Sequence, residues 1–333
     1  MRVKLTLRGF VAVGVAVVGT WLSVRFGPRS LNAVVLPTVV ALVAAVVQVA
    51  TFDRPELSRT PPPNGFPGDG GRVELRFETD APVTGTVVDG LPPGVDGDAS
   101  VTTLVGDGPV GYDVTYRRRG ERAFGPTRLR ARDVLGLAER TFQWREPTSV
   151  VVYPRVFDLS SSAYGSLRER SDRGRRPDRG EFDHLREYAR GDTLRDVHWK
   201  SSAKRDDLVV KSFGSDRERT AVTLAASADP GHADAMAEAA ASLGTALLAD
   251  DVPVSLVTPD GRLDVGVDGG TRLLEHLARV GSGDVDADAD VTVTATAEAT
   301  TVRVGGETTT FESLRRPPAD ADRSPVESEE VAA

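Results

Sequence analysis

Residues 180–204 read GEFDHLREYARGDTLRDVHWKSSAK and form the most distinctive stretch of the chain. The Gly-Asp pair at 191–192 predicts a turn followed by a helix N-cap, because an aspartate carboxylate can accept a hydrogen bond from a free amide of the first helical turn. We therefore expect a short helix over residues 193–204. On this helix Arg195 and Trp199 are four residues apart and would be neighbours on one face.

The sequence around this stretch is dense in charges of both signs. From Arg168 to Lys211 there are thirteen Lys or Arg residues against ten Asp or Glu, a local net charge of +3. Two hypotheses fit this pattern: a binding surface, or an architectural network of ion pairs. The candidate interaction residues are Phe182, Leu185, Arg186, Glu187, Tyr188, Gly191, Asp192, Arg195, Asp196, His198, Trp199, Lys200 and Lys204.

Three motifs of the chain resemble one known family. The central motif, over residues 182–211, is F-x-x-L-R-E-Y-x-x-G-D-x-x-R-x-V-x-W-K-x-x-A-K followed by L-V-V-K. The other two are the RRG…GP run over residues 118–126 and the RD…GL run over residues 132–137. With the apolar N-terminal region, these motifs resemble the "domain of unknown function 58" proteins over essentially the whole chain.

The resemblance implies an architecture more firmly than an activity. It implies a membrane-anchored protein with a β-domain and a von Willebrand factor A-like α/β domain, found as the partner of a MoxR-type AAA+ ATPase. No enzymatic reaction is established for the family. The resemblance therefore favours an interaction role for the central motif.

A von Willebrand factor A-like fold normally holds Mg²⁺ through D-x-S-x-S at the end of its first strand, because hard oxygen ligands suit a hard cation. The aligned positions here are Ala226, Ala228 and Pro230, which have no side-chain oxygen. Ser227 and Asp229 are near, but a shift of one or two residues does not restore the spacing. We expect no metal and no other cofactor, and a metal-dependent adhesion module is the weaker alternative.

Signals for catalysis are weak. Ser201 and Lys204 match the S-x-x-K spacing of serine acylases, but no S-D-N or K-T-G follows. His184 and His198 lie near carboxylates, from which acid–base chemistry could be built. We assign no catalytic residues, and an enzyme of unknown reaction with its site in residues 180–211 stays open as the rival hypothesis.

On the C-terminal side of the signature segment, 156–204, an α/β pattern covers residues 205–316. Apolar strands are predicted at 208–210, 221–226 and 252–257, with further strand material at 291–304, and helices at 233–248 and 271–280. This alternation is typical of an α/β sheet with crossover helices. The acidic tail, 317–333, has too little apolar surface to fold alone and is predicted to be disordered.

On the N-terminal side, residues 72–155 alternate apolar and polar residues in short runs between turn residues, which predicts a small all-β, Ig-like sandwich. The Pro- and Gly-rich segment 54–71 is predicted to be a linker. Gly106, Gly108 and Gly111 match G-x-G-x-x-G, but the neighbouring strand patterns indicate a hairpin turn rather than a dinucleotide site.

Residues 1–53 contain two uncharged apolar runs. The run from Ser30 to Phe52 has 23 residues, enough to span the ~30 Å hydrocarbon core as a helix, and the run from Gly9 to Val24 has 16. We predict a hairpin of two transmembrane helices. The alternative, a signal peptide, is disfavoured because no cleavage site follows and the second run would remain.

Positive charges near the two spans predict their orientation. Five Lys or Arg residues lie in the outer flanks of the hairpin, and two lie between the spans. By the positive-inside bias, we expect a multi-pass protein of the cell membrane whose N-terminus and soluble domains are cytoplasmic. The five flanking residues are Arg2, Lys4, Arg8, Arg54 and Arg59.

The composition excludes several classes of protein. The 333 residues contain no Cys, which excludes disulfides and thiolate chemistry. The net charge of −8 argues against a nucleic-acid binder, because phosphate affinity needs clustered positive charge. Arg far exceeds Lys and Asp exceeds Glu, which fits either a GC-rich genome or, as we favour, a halophilic archaeon-like composition.

We therefore expect a membrane-anchored, non-enzymatic interaction or scaffold protein. Its predicted partners are the lipid bilayer and a MoxR-type AAA+ ATPase, with which it would act in the assembly or maturation of envelope or protein complexes.

Overall fold

The computed structural model describes residues 3–26, 29–160, 165, 184–187, 209–212 and 221–316. The chain divides into two compact units, Met1–Pro154 and Arg155–Ala333. Each unit has its own hydrophobic core.

Two apolar helices, α1 (Leu7–Phe26) and α2 (Arg29–Thr51), lie at the start of the first unit. By length and composition, both could cross a membrane. Their large apolar side chains are mostly exposed; Phe10 and Trp21, for example, are 63% and 62% exposed. The two predicted apolar runs are thus confirmed as helices that leave much of their apolar surface uncovered by protein.

The rest of the first unit is built from antiparallel strands. A five-stranded sheet has the order β1-β10-β9-β4-β6, a four-stranded sheet the order β2-β3-β7-β5, and β8 pairs with β11. The strands are β1 Val3–Leu5, β2 Glu56–Thr60, β3 Gly70–Glu78, β4 Val83–Val88, β5 Val95–Gly97, β6 Ser100–Val105, β7 Val110–Tyr116, β8 Gly120–Phe124, β9 Thr127–Arg132, β10 Ala138–Trp144 and β11 Thr148–Val152.

Alternation along these strands buries one face of each sheet. Val73, Leu75 and Phe77 of β3 are at most 4% exposed, while the residues between them are exposed. Leu129 of β9 and Phe142 of β10, from the other sheet, belong to the same core cluster. The predicted β-rich body is therefore present, and its core lies between two antiparallel sheets.

The segment 54–71, predicted as a linker, contributes strands instead. β2 lies inside it and pairs with β3, from Glu56 with Glu78 to Thr60 with Glu74. The prediction was wrong because the sequence of β2, ELSRT, is polar and has no apolar alternation of its own. Its extended form is stabilised by pairing with β3, which local sequence does not reveal.

The glycines of the G-x-G-x-x-G match do not form a hairpin turn. β6 and β7, which flank this segment, belong to different sheets: β6 pairs with β4, and β7 pairs with β3 and β5. The segment is a connection between sheets. It leads into a strand rather than a helix, whereas a dinucleotide-binding turn leads into a helix.

The second unit contains a six-stranded sheet of order β16-β15-β14-β17-β18-β19 and a separate ladder of β12 and β13. Within the sheet, β14 is parallel to β15 and β17, and the other neighbours are antiparallel. The elements are β12 His184–Glu187, β13 Val209–Ser212, β14 Val222–Ala228, α3 Ala233–Ala249, β15 Val254–Thr258, β16 Gly261–Val265, α4 Gly270–Arg279, β17 Val291–Ala295, β18 Thr300–Val304, β19 Glu307–Thr310 and α5 Phe311–Leu314.

The apolar pattern explains this arrangement. β14 lies between two parallel neighbours and is nearly continuously apolar, with Leu224 and Ala226 fully buried. α3 connects β14 to the parallel β15 and packs Met236 and Leu243 into the same core. The helices predicted at 233–248 and 271–280 are confirmed, and the predicted α/β region is present.

Candidate functional site

Only two strands of the central motif lie within the described residues. The ladder of β12 and β13 pairs His184 with Ser212 and Glu187 with Val209, with Leu185 and Arg186 between them. It brings the two ends of the motif together through the backbone. The helix predicted over residues 193–204 lies outside the described part of the chain, as do the predicted interaction residues Phe182, Tyr188, Gly191, Asp192, Arg195, Asp196, His198, Trp199, Lys200 and Lys204.

The carboxyl end of β14 is the edge where a metal would bind in a von Willebrand factor A-like fold. Ala226 and Ala228 are buried there, and neither has a side-chain oxygen. The backbone of Ala228 exchanges two hydrogen bonds with Gly283, and Asp229 N donates to Ala295 O at 2.9 Å. The edge is thus occupied by backbone contacts. Within the described residues, no group of three or more His, Asp or Glu could hold a metal ion.

His276 of α4 has a partner that the sequence did not reveal. Its Nε2 lies 2.9 Å from Thr258 Oγ1 at the end of β15. Burial lowers the pKa of His276, Asp260 raises it and Arg279 lowers it, with a net decrease. Folding therefore favours the neutral imidazole.

We expect this histidine to make the second unit less stable in acid. Because the folded pKa lies below the unfolded value of about 6.5, the unfolded state binds more protons, and stability falls as the pH drops through 6.5. His276→Gln should reduce the difference between melting temperatures at pH 7.5 and pH 5.5 while keeping a polar partner for Thr258. Equal pH dependence in wild type and variant would contradict this role.

The first unit contains a buried ion pair between Arg59 of β2 and Asp89. Their side chains are 4% and 0% exposed, and Arg59 Nη2 lies 2.8 Å from Asp89 Oδ1. Arg59 Nη2 also donates to Thr127 Oγ1 at 2.6 Å, and Nη1 donates to the carbonyl of Phe124 at 3.2 Å and to Thr148 Oγ1 at 3.1 Å. One guanidinium thus joins segments from both sheets and the β8–β11 pair.

The carboxylate of Asp89 is equally well partnered. Tyr112 OH donates to Oδ2 at 2.6 Å, and Thr127 Oγ1 and Gly90 N donate to Oδ1 at 2.7 and 3.2 Å. Burial, followed by the hydrogen bond to Asp89, raises the pKa of Tyr112 far above its ordinary value. Arg59 was counted among the charges that orient the hairpin, but its charge is compensated inside the β-rich body.

Residues before α1 are part of the β-rich body. β1 pairs antiparallel with β10, from Val3 with Arg140 to Leu5 with Ala138. Thr6 then joins the helix to the sheet: its N–H donates to Leu137 O at 2.9 Å, and its hydroxyl accepts from Gly9 N at 3.2 Å. The sequence did not predict this strand.

Gly9 allows α1 to lie close to the turn between β9 and β10. A β-carbon at Gly9 would collide with the carbonyl oxygen of Leu137, so any larger residue would push α1 away from the turn between β9 and β10.

The end of α2 is held by two arginines. Arg140 Nη1 donates to the carbonyls of Ala50 and Phe52 at 3.0 and 2.8 Å, which satisfies groups that a helix end leaves without partners. Arg54 Nη2 donates to Gln143 O at 2.9 Å, and its guanidinium stacks over the ring of Trp144. α2 is therefore attached to β10, and α1 to the turn that precedes this strand.

A cavity of about 720 Å³ lies beside this attachment. Its lining comes from the end of α2, the turn between β3 and β4, and β9. The charged lining residues are Asp53, Arg54, Glu56, Glu78, Asp80 and Arg132. Four carboxylates against two guanidinium groups give this cavity an acidic character.

The fold and these attachments describe a two-unit protein, β-rich and then α/β, that carries an apolar helix pair. The family described as "Protein of unknown function DUF58" matches residues 184–262, from β12 into β16. This match, over 79 of the 333 residues, supports the family resemblance predicted from the sequence.

Two individual proteins are similar to parts of the chain. The "Uncharacterized protein YeaD" of Bacillus subtilis (strain 168) is 30% identical over 117 residues, which cover 34% of this chain and 29% of the relative. The solved PKD domain of an M14-like peptidase from Thermoplasmatales archaeon SCGC AB-540-F20 is 17% identical and covers 31% of this chain and 98% of its own, with a TM-score of 0.23.

Proposed function

We propose that this chain is a membrane-anchored, non-enzymatic interaction protein that works with a MoxR-type AAA+ ATPase in the assembly or maturation of envelope or protein complexes. In this proposal α1 and α2 span the bilayer as a hairpin. The β-rich body is an Ig-like sandwich, and the second unit is a von Willebrand factor A-like domain. The observation that carries the anchoring is the exposed apolar surface of these two long helices, and the pairing of β1 with β10 supports the hairpin.

The pairing bears on topology because β1 precedes the first helix and β10 follows the second. Two paired strands of one open sheet lie on the same side of a bilayer. The sheet cannot extend through the hydrocarbon, because each backbone group left unpaired there costs several kcal/mol. The chain between them must cross the membrane an even number of times. This argument supports the hairpin without using the count of charges, and the positive-inside bias adds the cytoplasmic side.

Labelling of single cysteines tests this topology, because the chain has no Cys. Asp107→Cys lies in the exposed connection between β6 and β7, and Ser30→Cys lies at the start of α2. In intact cells a membrane-impermeant maleimide should label position 30, whereas position 107 should react only after permeabilisation. Labelling of position 107 in intact cells would overturn the cytoplasmic placement. Equal protection of both would contradict the hairpin.

The second unit supports the von Willebrand factor A-like assignment through the parallel strands β15, β14 and β17 and the helices that connect them. The sequence at the carboxyl end of β14 favours partner binding without a metal ion, because Ala226 and Ala228 stand where oxygen ligands would be needed. A domain of this kind would bind through protein side chains. The central motif, with its guanidinium groups and Trp199, supplies the residue types that most often anchor interfaces.

The partner is tested by affinity capture. The tagged full-length chain, solubilised in detergent, is incubated with purified MoxR-type ATPase from the same cell, with and without ATP. We expect saturable binding that changes with nucleotide. Absence of binding in every nucleotide state would reject the ATPase partnership.

A further inference from the structure

The turn between β9 and β10 exposes apolar side chains beside the first helix. Val134 and Leu135, in this turn, are 84% and 55% exposed. Outside α1 and α2, the described part of the first unit exposes only one other large apolar side chain, Leu104 of β6. Two adjacent exposed apolar residues in a β-rich body therefore need a physical explanation.

The turn has a defined shape. The carboxylate of Asp133, a residue only 3% exposed, accepts hydrogen bonds from Leu135 N at 2.9 Å and Ala138 N at 2.7 Å. Gly136 N donates to Asp133 O at 3.0 Å, and Gly136 has a φ of 71°, a conformation that favours glycine. The RD…GL motif thus encodes a fixed turn that holds Val134 and Leu135 outward.

The same turn contacts the point where α1 begins. Thr6 Oγ1 donates to Gly136 O at 2.5 Å, and the backbone of Gly9 lies against Leu137 O. The next large apolar side chains of α1, those of Leu7 and Phe10, are 81% and 63% exposed. The exposed surface of the turn therefore lies next to the start of the apolar helix.

Positive charge lies at the same place. Lys4 and Arg8 are exposed on either side of Thr6, and Arg8 Nη1 lies 3.7 Å from where a β-carbon on Gly136 would be. Apolar side chains flanked by Lys and Arg are the combination that binds the boundary between headgroups and acyl chains, especially in anionic membranes.

We propose that the β9–β10 turn is a membrane-docking element. Val134 and Leu135 enter the headgroup–acyl boundary, and Lys4 and Arg8 face anionic headgroups. The contact holds the β-rich body against the bilayer surface where α1 enters it. This inference rests on the membrane anchoring proposed above and adds a second contact with lipid, outside the spanning helices.

Lipid quenching tests the proposal in the full-length chain. Three single-cysteine variants carry the environment-sensitive fluorophore NBD: Val134→Cys in the turn, Ser100→Cys at the start of β6, and Val39→Cys in α2. Ser100 is exposed and lies level with Arg128, at the end of the sheet remote from the turn. Each is reconstituted into phosphatidylcholine–phosphatidylglycerol vesicles that contain a lipid with a doxyl quencher at either a shallow or a deep position of its acyl chain. All three must match the wild type in resistance of the β-rich body to trypsin.

We expect the label at position 134 to be quenched at least two-fold more than the label at position 100. Omitting phosphatidylglycerol should reduce the quenching at position 134. If positions 134 and 100 are quenched equally while the label at position 39 responds to lipid quenchers, the docking element is rejected and the anchoring stands. If position 39 does not respond to quenchers at any depth either, the membrane anchoring fails, and the docking element with it.

Discussion

Asp89→Ala should lower the free energy of unfolding of the first unit by about 3–5 kcal/mol, the cost of leaving one partner of a buried ion pair uncompensated. The variant removes the only carboxylate that contacts Arg59 within the described residues, and Arg59 is 4% exposed. The hydroxyls of Tyr112 and Thr127 lose their acceptor at the same time. Hydrogen exchange of β7 and β9 in the detergent-solubilised chain measures the change.

The matched control is Asp96→Ala. Asp96 pairs with Arg117 at 2.7 Å, but the two side chains are 62% and 59% exposed. Exposed pairs contribute about 0–1 kcal/mol, so this variant should change exchange little. Similar effects at both aspartates would show that burial does not decide the strength of the Arg59 network.

A double variant distinguishes the cost of leaving one buried charge uncompensated from the loss of the ion pair itself. Replacing both partners with apolar residues, Arg59→Met with Asp89→Leu, removes the two charges together. Because no buried charge is left alone, the double variant should be more stable than Asp89→Ala. A double variant that is less stable than Asp89→Ala would mean that the other hydrogen bonds of Arg59, to Phe124 O and to the hydroxyls of Thr127 and Thr148, outweigh the cost of its uncompensated charge.

Features set by local sequence were predictable. Two apolar runs predict the helix pair. Apolar residues at helical spacing predict α3, and two of them, Met236 and Leu243, are buried in the core. The central strand β14 follows from a continuous apolar run. In each case the residues that decide the element lie within about twenty positions of one another.

Features set by distant pairing were not predictable. β1 has three residues, and its partner Arg140 lies 137 positions after Val3. Arg59 and Asp89 are 30 positions apart, and in sequence each looks like an ordinary surface charge. Whether a charged side chain is buried depends on the register of the strands around it. The pairing of a short edge strand likewise depends on a neighbour that is distant in sequence. The central motif therefore stays a prediction from residue types, and the network of Arg59 and Asp89 was missed.

These missed contacts also connect the RD…GL motif to the apolar helices. The RD…GL run holds the start of α1 through Leu137, and Arg140, three residues further on, holds the end of α2. The helices are thus held to the β-rich body through β10 and the turn that precedes it. A substitution at Gly9 or Arg140 would act on this attachment rather than on the helices themselves.

The second large effect is expected from substitutions in the central motif. Arg195→Ala and Trp199→Ala should each weaken binding to the ATPase by about 2 kcal/mol or more, roughly 30-fold in Kd, because guanidinium groups and indoles dominate interface energies. Titration of the detergent-solubilised chain with the purified ATPase measures this loss. The reason lies in residue chemistry, since planar donors and large aromatic rings bury area with few rotatable bonds.

Arg262→Ala is the control for charge alone. Arg262 lies on β16 in the same unit, its side chain is 61% exposed, and it pairs only weakly with the exposed Asp264 at 3.2 Å. It should leave the affinity for the ATPase unchanged. A loss of affinity as large as that of the motif variants would indicate general electrostatic attraction between the proteins instead of a docking surface.

The fold must be measured on the same samples, because the motif could equally be an architectural ion-pair network. Slow hydrogen exchange in β14 and α3, whose residues Leu224 and Met236 are fully buried, reports the global stability of the second unit. A docking surface predicts that exchange stays slow while binding is lost. If both variants instead accelerate exchange through β14 and α3, the charges of the motif hold the domain together, and the ATPase must bind elsewhere.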